Sequence, residues 1–385
     1  MKYFFSAGEA SGDLHAGELI KAIAGIDPDA GFAFLGGDCM TAAAGGISPV
    51  IHYRDMAYMG FCEVIRHLPD VGRNLRRARE AIDSFAPDAL VLVDYPSFNL
   101  RLARYAASRG IAVYYYISPK LWAWKSWRLK AIRRDVRRVF SILPFEEEWF
   151  AARGYKVDYV GNPSVEEVDR RIAATRPLEV PEDDPRPVLA LIPGSRKGEV
   201  RCNLPIMAEV ARRHPEMRPV IAAAPALPAE IYNRWGGAGI EKVVGATLDV
   251  MRGAHAALVT SGTATLECAL CSTPQVVLYR SGGSKILYKL FRPLIKVPWV
   301  SLPNLIAGRE VIPEMLMYRC TPDLVDAELT PLLDIGSASR RAQAEGYAAM
   351  RSRLGSRPAA DTAAGMLVDD LRRVAHANGL RGVEA

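Results

Sequence analysis

"DALVLVDYPSFNLRLARYAASRGIAVYYYIS", residues 88–118, reads as a strand, a polar turn, a helix and a second strand. "DALVLVDY" is apolar throughout rather than alternating, which suits a strand covered on both faces. "IAVYYYIS" repeats that pattern after the helix "NLRLARYAASRG", so the two strands are expected to lie parallel. Towards the N-terminus, "KYFFSAG" and "FAFLGG" are strands on either side of the helix "GDLHAGELIKAIAG". Towards the C-terminus, "RVFSILPF" and "VDYVGNP" are further strands. Residues 164–186 are polar, with "RPLEVPEDDPRP" near their end, and a linker is expected there. Beyond it "PVLALIPGSR", "RPVIAAAP", "EKVVGA", "HAALVTSGT" and "PQVVLYR" repeat the same logic. The expected class is α/β: two Rossmann-like doubly wound parallel-sheet domains facing a cleft, over 1–165 and 166–345, with a helical segment over 346–385.

The totals fit. At 385 residues, half of them hydrophobic, the chain can fill two ordinary cores. The net charge of +6 is a modest excess, compatible with an anionic ligand or surface and too small to favour nucleic acid. Five residues before the first polar turn are too few for a signal peptide, and no apolar run reaches bilayer length. A cytoplasmic protein, or one attached peripherally to a membrane surface, is expected. Cys268 and Cys271 lie in "TATLECALC", which reads as a helical core pair rather than a metal or redox site. Asp27–Asp29 reads as a turn after a helix, and no cluster has metal-ligand spacing.

The motifs fall at the carboxyl ends of strands. "SAGEASGDLHAG", residues 6–17, has the form of a phosphate-cradling turn, yet it carries Glu9 and Asp13, which repel a phosphate. In "VDYPSFNLRLA", Asp94 ends a very apolar strand; burial there would raise its pKa and suit a general base, while capping of the next helix is the plainer alternative. In "LALIPGSRKGEV", Gly194 and Ser195 are expected to free backbone amides and Arg196 to offer a fork for phosphate, unless this is an ordinary turn. In "ALVTSGTATLECAL", Ser261, Gly262 and Thr263 open a helix whose N-terminus favours an anion, and Glu267 one turn on could take ribose hydroxyls.

Two stretches point to a surface. Met59, Phe61, Val64, Ile65, Leu68 and Val71 have helical spacing and form either a core face or a patch for acyl chains and membrane. Trp122, Trp124 and Trp127 precede Lys130, Arg133, Arg134, Arg137 and Arg138, which read as a solvated face or as an anionic-lipid contact. "VSLPNLIAGREVIPEML", with Asn304, shows no chemistry by spacing alone.

Together with "MGFCEV", "DYPSFN", "SPKLWAWK", "LPFE", "VGNP" and "SLPNLIAGRE", these strings resemble the lipid-A-disaccharide synthase family over nearly the whole chain. The resemblance implies the GT-B glycosyltransferase fold, no metal or other cofactor, and a place at the inner face of the cytoplasmic membrane. It implies transfer of 2,3-diacylglucosamine from UDP-2,3-diacylglucosamine to 2,3-diacylglucosamine 1-phosphate, giving the β-1,6 disaccharide 1-phosphate and UDP. Asp94 then looks like the base for the acceptor 6-hydroxyl, Arg196 like the diphosphate clamp, and Ser261, Gly262 and Thr263 like the helix-end phosphate site. Glu267 looks like the ribose acid, Asn304 like a polar residue lining the cleft, and 59–71 like the membrane patch. Amides near Gly8, Ser11 and Gly12 would hold an anion while Glu9 and Asp13 accept hydroxyl hydrogen bonds. The family also implies a homodimer exchanging C-terminal segments; return of the terminal helix to the first domain is the alternative. The rivals are a UDP-N-acetylglucosamine 2-epimerase-like isomerase and a non-catalytic nucleotide-sugar or lipid binder.

Overall fold

The computed structural model describes residues 1–56, 68–123, 126–280 and 298–383. The chain divides into two compact units, residues 1–163 with 357–385, and residues 164–356. The expected linker stretch begins instead with a helix, Pro163–Ala174, and the expected terminal segment is split: Ala338–Leu354 belongs to the second unit and Ala359–Val383 to the first.

The first unit holds a seven-stranded sheet: β1 (Lys2–Ala7), β2 (Gly31–Gly36), β3 (Ile51–His52), β4 (Ala89–Val93), β5 (Ala112–Tyr116), β6 (Arg138–Ser141) and β7 (Asp158–Tyr159). Their order is β3-β2-β1-β4-β5-β6-β7, and every pair is parallel. The strands are apolar on both faces because each face has its own core. Tyr3, Phe5, Val91, Val93, Tyr114 and Tyr116 go to one, and Phe4, Leu90, Leu92, Val113 and Tyr115 to the other. The helices used below are α1 (Ala10–Ile26), α2 (Asp38–Ala43), α3 (Pro96–Ser108) and α4 (Phe145–Ala151).

The second unit holds β8 (Val188–Ile192), β9 (Arg218–Ala223), β10 (Glu241–Val244), β11 (Ala254–Thr260), β12 (Gln275–Tyr279) and β13 (Glu314–Leu316), in the order β10-β9-β8-β11-β12-β13 and again parallel. Its relevant helices are α5 (Lys197–Arg213), α6 (Thr263–Leu270) and α7 (Leu302–Ala307). Numbered from its own first strand, the first sheet runs 3-2-1-4-5-6-7 and the second 3-2-1-4-5-6, the doubly wound order whose direction of winding reverses between strands 1 and 4.

The last helix, α8 (Ala359–Val383), returns to the first unit. Ala363, Ala364, Leu367, Val368 and Leu371 are buried in the same core as Leu19, Ile20 and Ile23 of α1. Asp370 takes Arg137 in a fork and accepts from Tyr114 Oη at 2.9 Å. Burying such a stripe is worth roughly 1.5–3 kcal/mol per large side chain, so α8 is an integral part of this unit.

The basic run is largely tied down. Arg133 donates to the Arg153 carbonyl, Arg134 forks onto Asp135, and Arg138 pairs with Asp158 at 2.9 Å. Trp122 is buried, whereas Trp127 is 67% exposed. Trp124, Met59, Phe61, Val64 and Ile65 lie outside the described residues, as does the side chain of Leu68. Val71 is partly buried against the first unit's core. No helix among the described residues is long and apolar enough to cross a membrane.

Candidate active site

In the first unit the winding reverses between β1 and β4, and the turns after those strands carry residues 8–13 and Asp94. In the second it reverses between β8 and β11, followed by Gly194–Arg196 and Ser261–Thr263. Open α/β sheets bind ligands at such points, outside the carboxyl ends of the strands. The sequence motifs therefore occupy the two places where the topology itself makes a site.

Asp94 sits in a strained, well-fixed turn. Asp94 and Tyr95 both have left-handed backbone, φ +44° and +47°. That costs roughly 1–2 kcal/mol per non-glycine residue. The cost is offset at the Asp94 carbonyl, which accepts from Tyr115 Oη at 2.5 Å and Asn99 Nδ2 at 2.8 Å. Asn99 is fully buried and also exchanges bonds with Ser6 of β1. Tyr95 is the N-cap of α3, and no side chain caps that helix start. The Asp94 side chain is open to solvent, yet burial still raises its pKa above the ordinary carboxylate value. Together these describe a carboxyl that a substrate can reach and water hydrates incompletely. The Lys120 cation and the Tyr95 N–H pull the value back down.

The turn after β1 differs from expectation. Asp13 is buried, and its two oxygens accept the N–H groups of Gly37, Cys39 and Met40 at 2.7, 2.9 and 3.3 Å. It anchors the start of α2 and is only 2% exposed. Gly8 is buried, and a Cβ there would come within 2.4 Å of the Tyr95 ring, so its bareness serves packing. Glu9 is the N-cap of α1 and Ser11 is exposed in the first turn, where the amides of Ala10, Ser11 and Gly12 have no partner within the helix.

In the second unit Arg196 is the exposed N-cap of α5. The amides of Ser195 and Arg196 are not free: both donate to Glu199 Oε2, at 3.1 and 3.3 Å, and the Arg196 guanidinium meets Oε1 at 3.2 Å. Gly194 has φ +104°, and a Cβ would meet the same carboxylate at 2.3 Å. Gly262 contrasts with this: a Cβ there would meet no described residue beyond its chain neighbours within 4 Å. Gly262 is the N-cap of α6, and no side chain caps that helix start. Burial raises the Glu267 pKa, opposed by Arg171 and reinforced by Glu167, and its carboxyl has no hydrogen-bond partner among the described residues.

Asn304 does not line an opening. It is fully buried in α7, donates to the Ile312 carbonyl and to Glu314, and accepts from the amides of Val311 and Ile312. It braces the loop before β13. Among the described residues no group of acids, histidines and cysteines could hold a metal ion. Sequence reasoning passed over Glu146, Tyr115 and Glu199, and took Asn99 only as a possible helix cap. Only Glu146 and Glu199 left a signal, as acids inside the otherwise apolar or glycine-rich strings "LPFE" and "PGSRKGE".

The sequence pattern of lipid-A-disaccharide synthetase matches residues 3–362. The chain belongs to the lipid-A-disaccharide synthase family. It is 41% identical over 368 residues to the lipid-A-disaccharide synthase of Myxococcus xanthus strain DK1622, covering 93% of this chain and 94% of that one. The corresponding enzyme of Geobacter metallireducens is 35% identical over 373 residues, with 95% and 96% covered. Among solved structures the chain is similar to a glycotransferase of kitacinnamycin (TM-score 0.59, 14% identity, 96% and 99% covered). It is also similar to a UDP-GlcNAc 2-epimerase from Neisseria meningitidis bound to UDP-GlcNAc (TM-score 0.55, 12% identity, 97% and 100% covered). At such identities these two show the fold alone, that shared by GT-B glycosyltransferases and epimerases. The family match decides for a glycosyltransferase acting on nucleotide-sugar and lipid A precursors, and against the epimerase and the non-catalytic binder.

Proposed function

We propose that this member of the family moves 2,3-diacylglucosamine from UDP-2,3-diacylglucosamine onto the 6-hydroxyl of 2,3-diacylglucosamine 1-phosphate, with Asp94 as the base. Asp94 takes the hydroxyl proton as the oxygen attacks the anomeric carbon, and the bond from that carbon to the UDP oxygen breaks. The donor is α and the product β, so a single displacement suffices and no covalent nucleophile is required. Arg196 and the first amides of α6 around Gly262 and Thr263 take the charge of the departing diphosphate. Glu267 takes the ribose hydroxyls. Glu9 and the first amides of α1, at Ser11 and Gly12, serve the sugar phosphate; Gly8 and Asp13 shape that turn rather than touch ligand.

The observation that carries this reading is the Asp94 carboxyl, solvent-open with its pKa raised, at the reversal point of the first sheet. Its test is incubation with both substrates in detergent and mass analysis of the product. Wild type should form the disaccharide 1-phosphate; Asp94→Asn should form almost none while still binding UDP. Full turnover by Asp94→Asn would remove the assignment. Residues 59–71 are proposed to dock on the inner face of the cytoplasmic membrane, with anionic-vesicle sedimentation as the check. A homodimer exchanging C-terminal segments has less support, because α8 packs on its own first unit.

A further inference from the structure

One element beside Asp94 is so far without a role. Val93 at the end of β4 pairs with Tyr116 at the end of β5, so the residues that follow them leave the sheet side by side. After β5 come Ile117, with φ +62°, and then Ser118, Pro119, Lys120, Leu121 and Trp122. Ser118, Pro119, Leu121 and Trp122 are buried; Lys120 alone faces solvent. Two short backbone bonds, Leu121 to the Pro119 carbonyl and Ala123 to the Lys120 carbonyl, tighten the turn around it.

The turn is held from beneath by one carboxylate. Glu146, in the first turn of α4 and 1% exposed, accepts Ser118 Oγ at 2.9 Å and Trp122 Nε1 at 2.8 Å. These two donors stand on either side of Lys120. Ser141 Oγ at the end of β6 also donates to Glu146, and Phe145 packs edge-on against the Trp122 ring. Three donors offset part of the cost of burying this carboxyl, and burial still pushes its pKa up to about 7. Most arginines of the following stretch are committed to carboxylates or carbonyls, whereas the Lys120 ammonium makes no ion pair or hydrogen bond among the described residues. It acts electrostatically on both Asp94 and Glu146.

We propose that Glu146 is a positioning residue for the transfer reaction: by gripping the Ser118 hydroxyl and the Trp122 indole it holds the Lys120 ammonium beside Asp94 as the counter-charge of the base. This rests on the reading of Asp94 as the base. The other groups facing Asp94 are its neighbour's N–H, the Tyr115 hydroxyl on β5, and Arg128, which lies near Tyr115 and bonds Ser97 Oγ at 2.9 Å. Arg128 is committed to Ser97, whereas Lys120 is exposed and unbonded among the described residues.

The consequence is a pH effect of defined sign. Lys120 opposes the burial that raises Asp94, so removing it raises the carboxyl further and delays ionisation of the base to higher pH. Lys120→Met should shift the acid limb of kcat upward, so that turnover falls most on the acid side and recovers as the pH rises, with both KM values nearly unchanged. Glu146→Gln retains one acceptor and turns the other oxygen into a donor facing two hydroxyls, so the turn loosens. It should shift the limb in the same direction, and Lys120→Met with Glu146→Gln should be little worse than Lys120→Met alone. If Glu146→Gln lowers Tm too far to assay, Ser118→Ala and Trp122→Phe, each deleting one grip, should give smaller shifts of the same sign.

Losses equal at every pH in the Glu146 and grip variants would mean a merely structural role and overturn the proposal. So would an unmoved limb in Lys120→Met. If Asp94→Asn is inactive while Lys120→Met titrates like wild type, this inference fails alone. If Asp94→Asn turns over normally, the base assignment falls and this inference with it.

Discussion

Gly8 follows the first strand of its sheet and Gly262 the fourth strand of its own, each beside the reversal point, and they are bare for opposite reasons. At Gly8 the missing side chain is filled by the Tyr95 ring, whose hydroxyl bonds the Met56 carbonyl at 2.9 Å. At Gly262 no described residue beyond its chain neighbours comes within 4 Å of that position. The first turn is packed so that the neighbouring Asp94 turn is rigid; the second is left open at a helix N-terminus. The same division runs through the two units. The first spends backbone strain and buried hydrogen bonds on the turn that carries one carboxyl, whereas the second presents an exposed arginine whose amide is held by Glu199. On the proposed reading the first turn serves the chemistry and the second holds an anion.

The largest expected effect breaks the comparison at its chemical end. Asp94→Asn should lower kcat by roughly 10²–10⁴-fold, the usual worth of a general base, and leave UDP affinity measured by calorimetry unchanged. Because the folded-state pKa of Asp94 is raised, wild-type kcat should fall on the acid side at a higher pH than an ordinary aspartate would give, since the base works only when ionised. Next, Arg196→Ala should reduce kcat/KM for the UDP-sugar about 10–100-fold, in line with about 1.5–3 kcal/mol for a charged hydrogen bond. Arg196→Lys should restore part of this, as a point charge replaces a fork.

The glycine pair sharpens the contrast directly. Gly8→Ala should cost about 1–3 kcal/mol by overpacking against Tyr95 and lower Tm, whereas Gly262→Ala should leave Tm nearly unchanged and raise the donor KM. Equal Tm losses in the two variants would show that both turns are structural. The smallest effect is expected at Glu267→Gln: a rise of about threefold in donor KM with kcat preserved, reflecting one weakened hydroxyl contact. A larger change in kcat than in KM would place Glu267 in the chemistry instead.

Eleven of the thirteen strands, their parallel pairing and the position of residues 8–13, Asp94, Arg196 and Ser261–Thr263 at strand carboxyl ends were legible in the sequence, whereas the short β3 and β13 were not. Unbroken apolar runs such as "ALVLV" and "VLALI" fit only a sheet covered on both faces. Residue chemistry at those ends, including Asp94, Arg196 and Gly262, was legible for the same reason: few residue types suit a strand-to-helix turn. What the sequence did not disclose is which polar groups are already satisfied. Asp13 is consumed by amides at 37–40, Asn304 by the chain at 311–314, and the Ser195 amide by Glu199. Bonding capacity is used up by partners that only folding brings near, so a polar residue in a motif reads the same whether it waits for a ligand or braces a loop. The pKa of Asp94, the clasp of Glu146 around Lys120 and the return of α8 to the first core depend likewise on burial and on contacts between distant segments. Periodicity and residue type therefore determined the architecture and where its sites lie. Tertiary structure decided which side chains remain free to act there, because desolvation and hydrogen-bond saturation are properties of the packed chain.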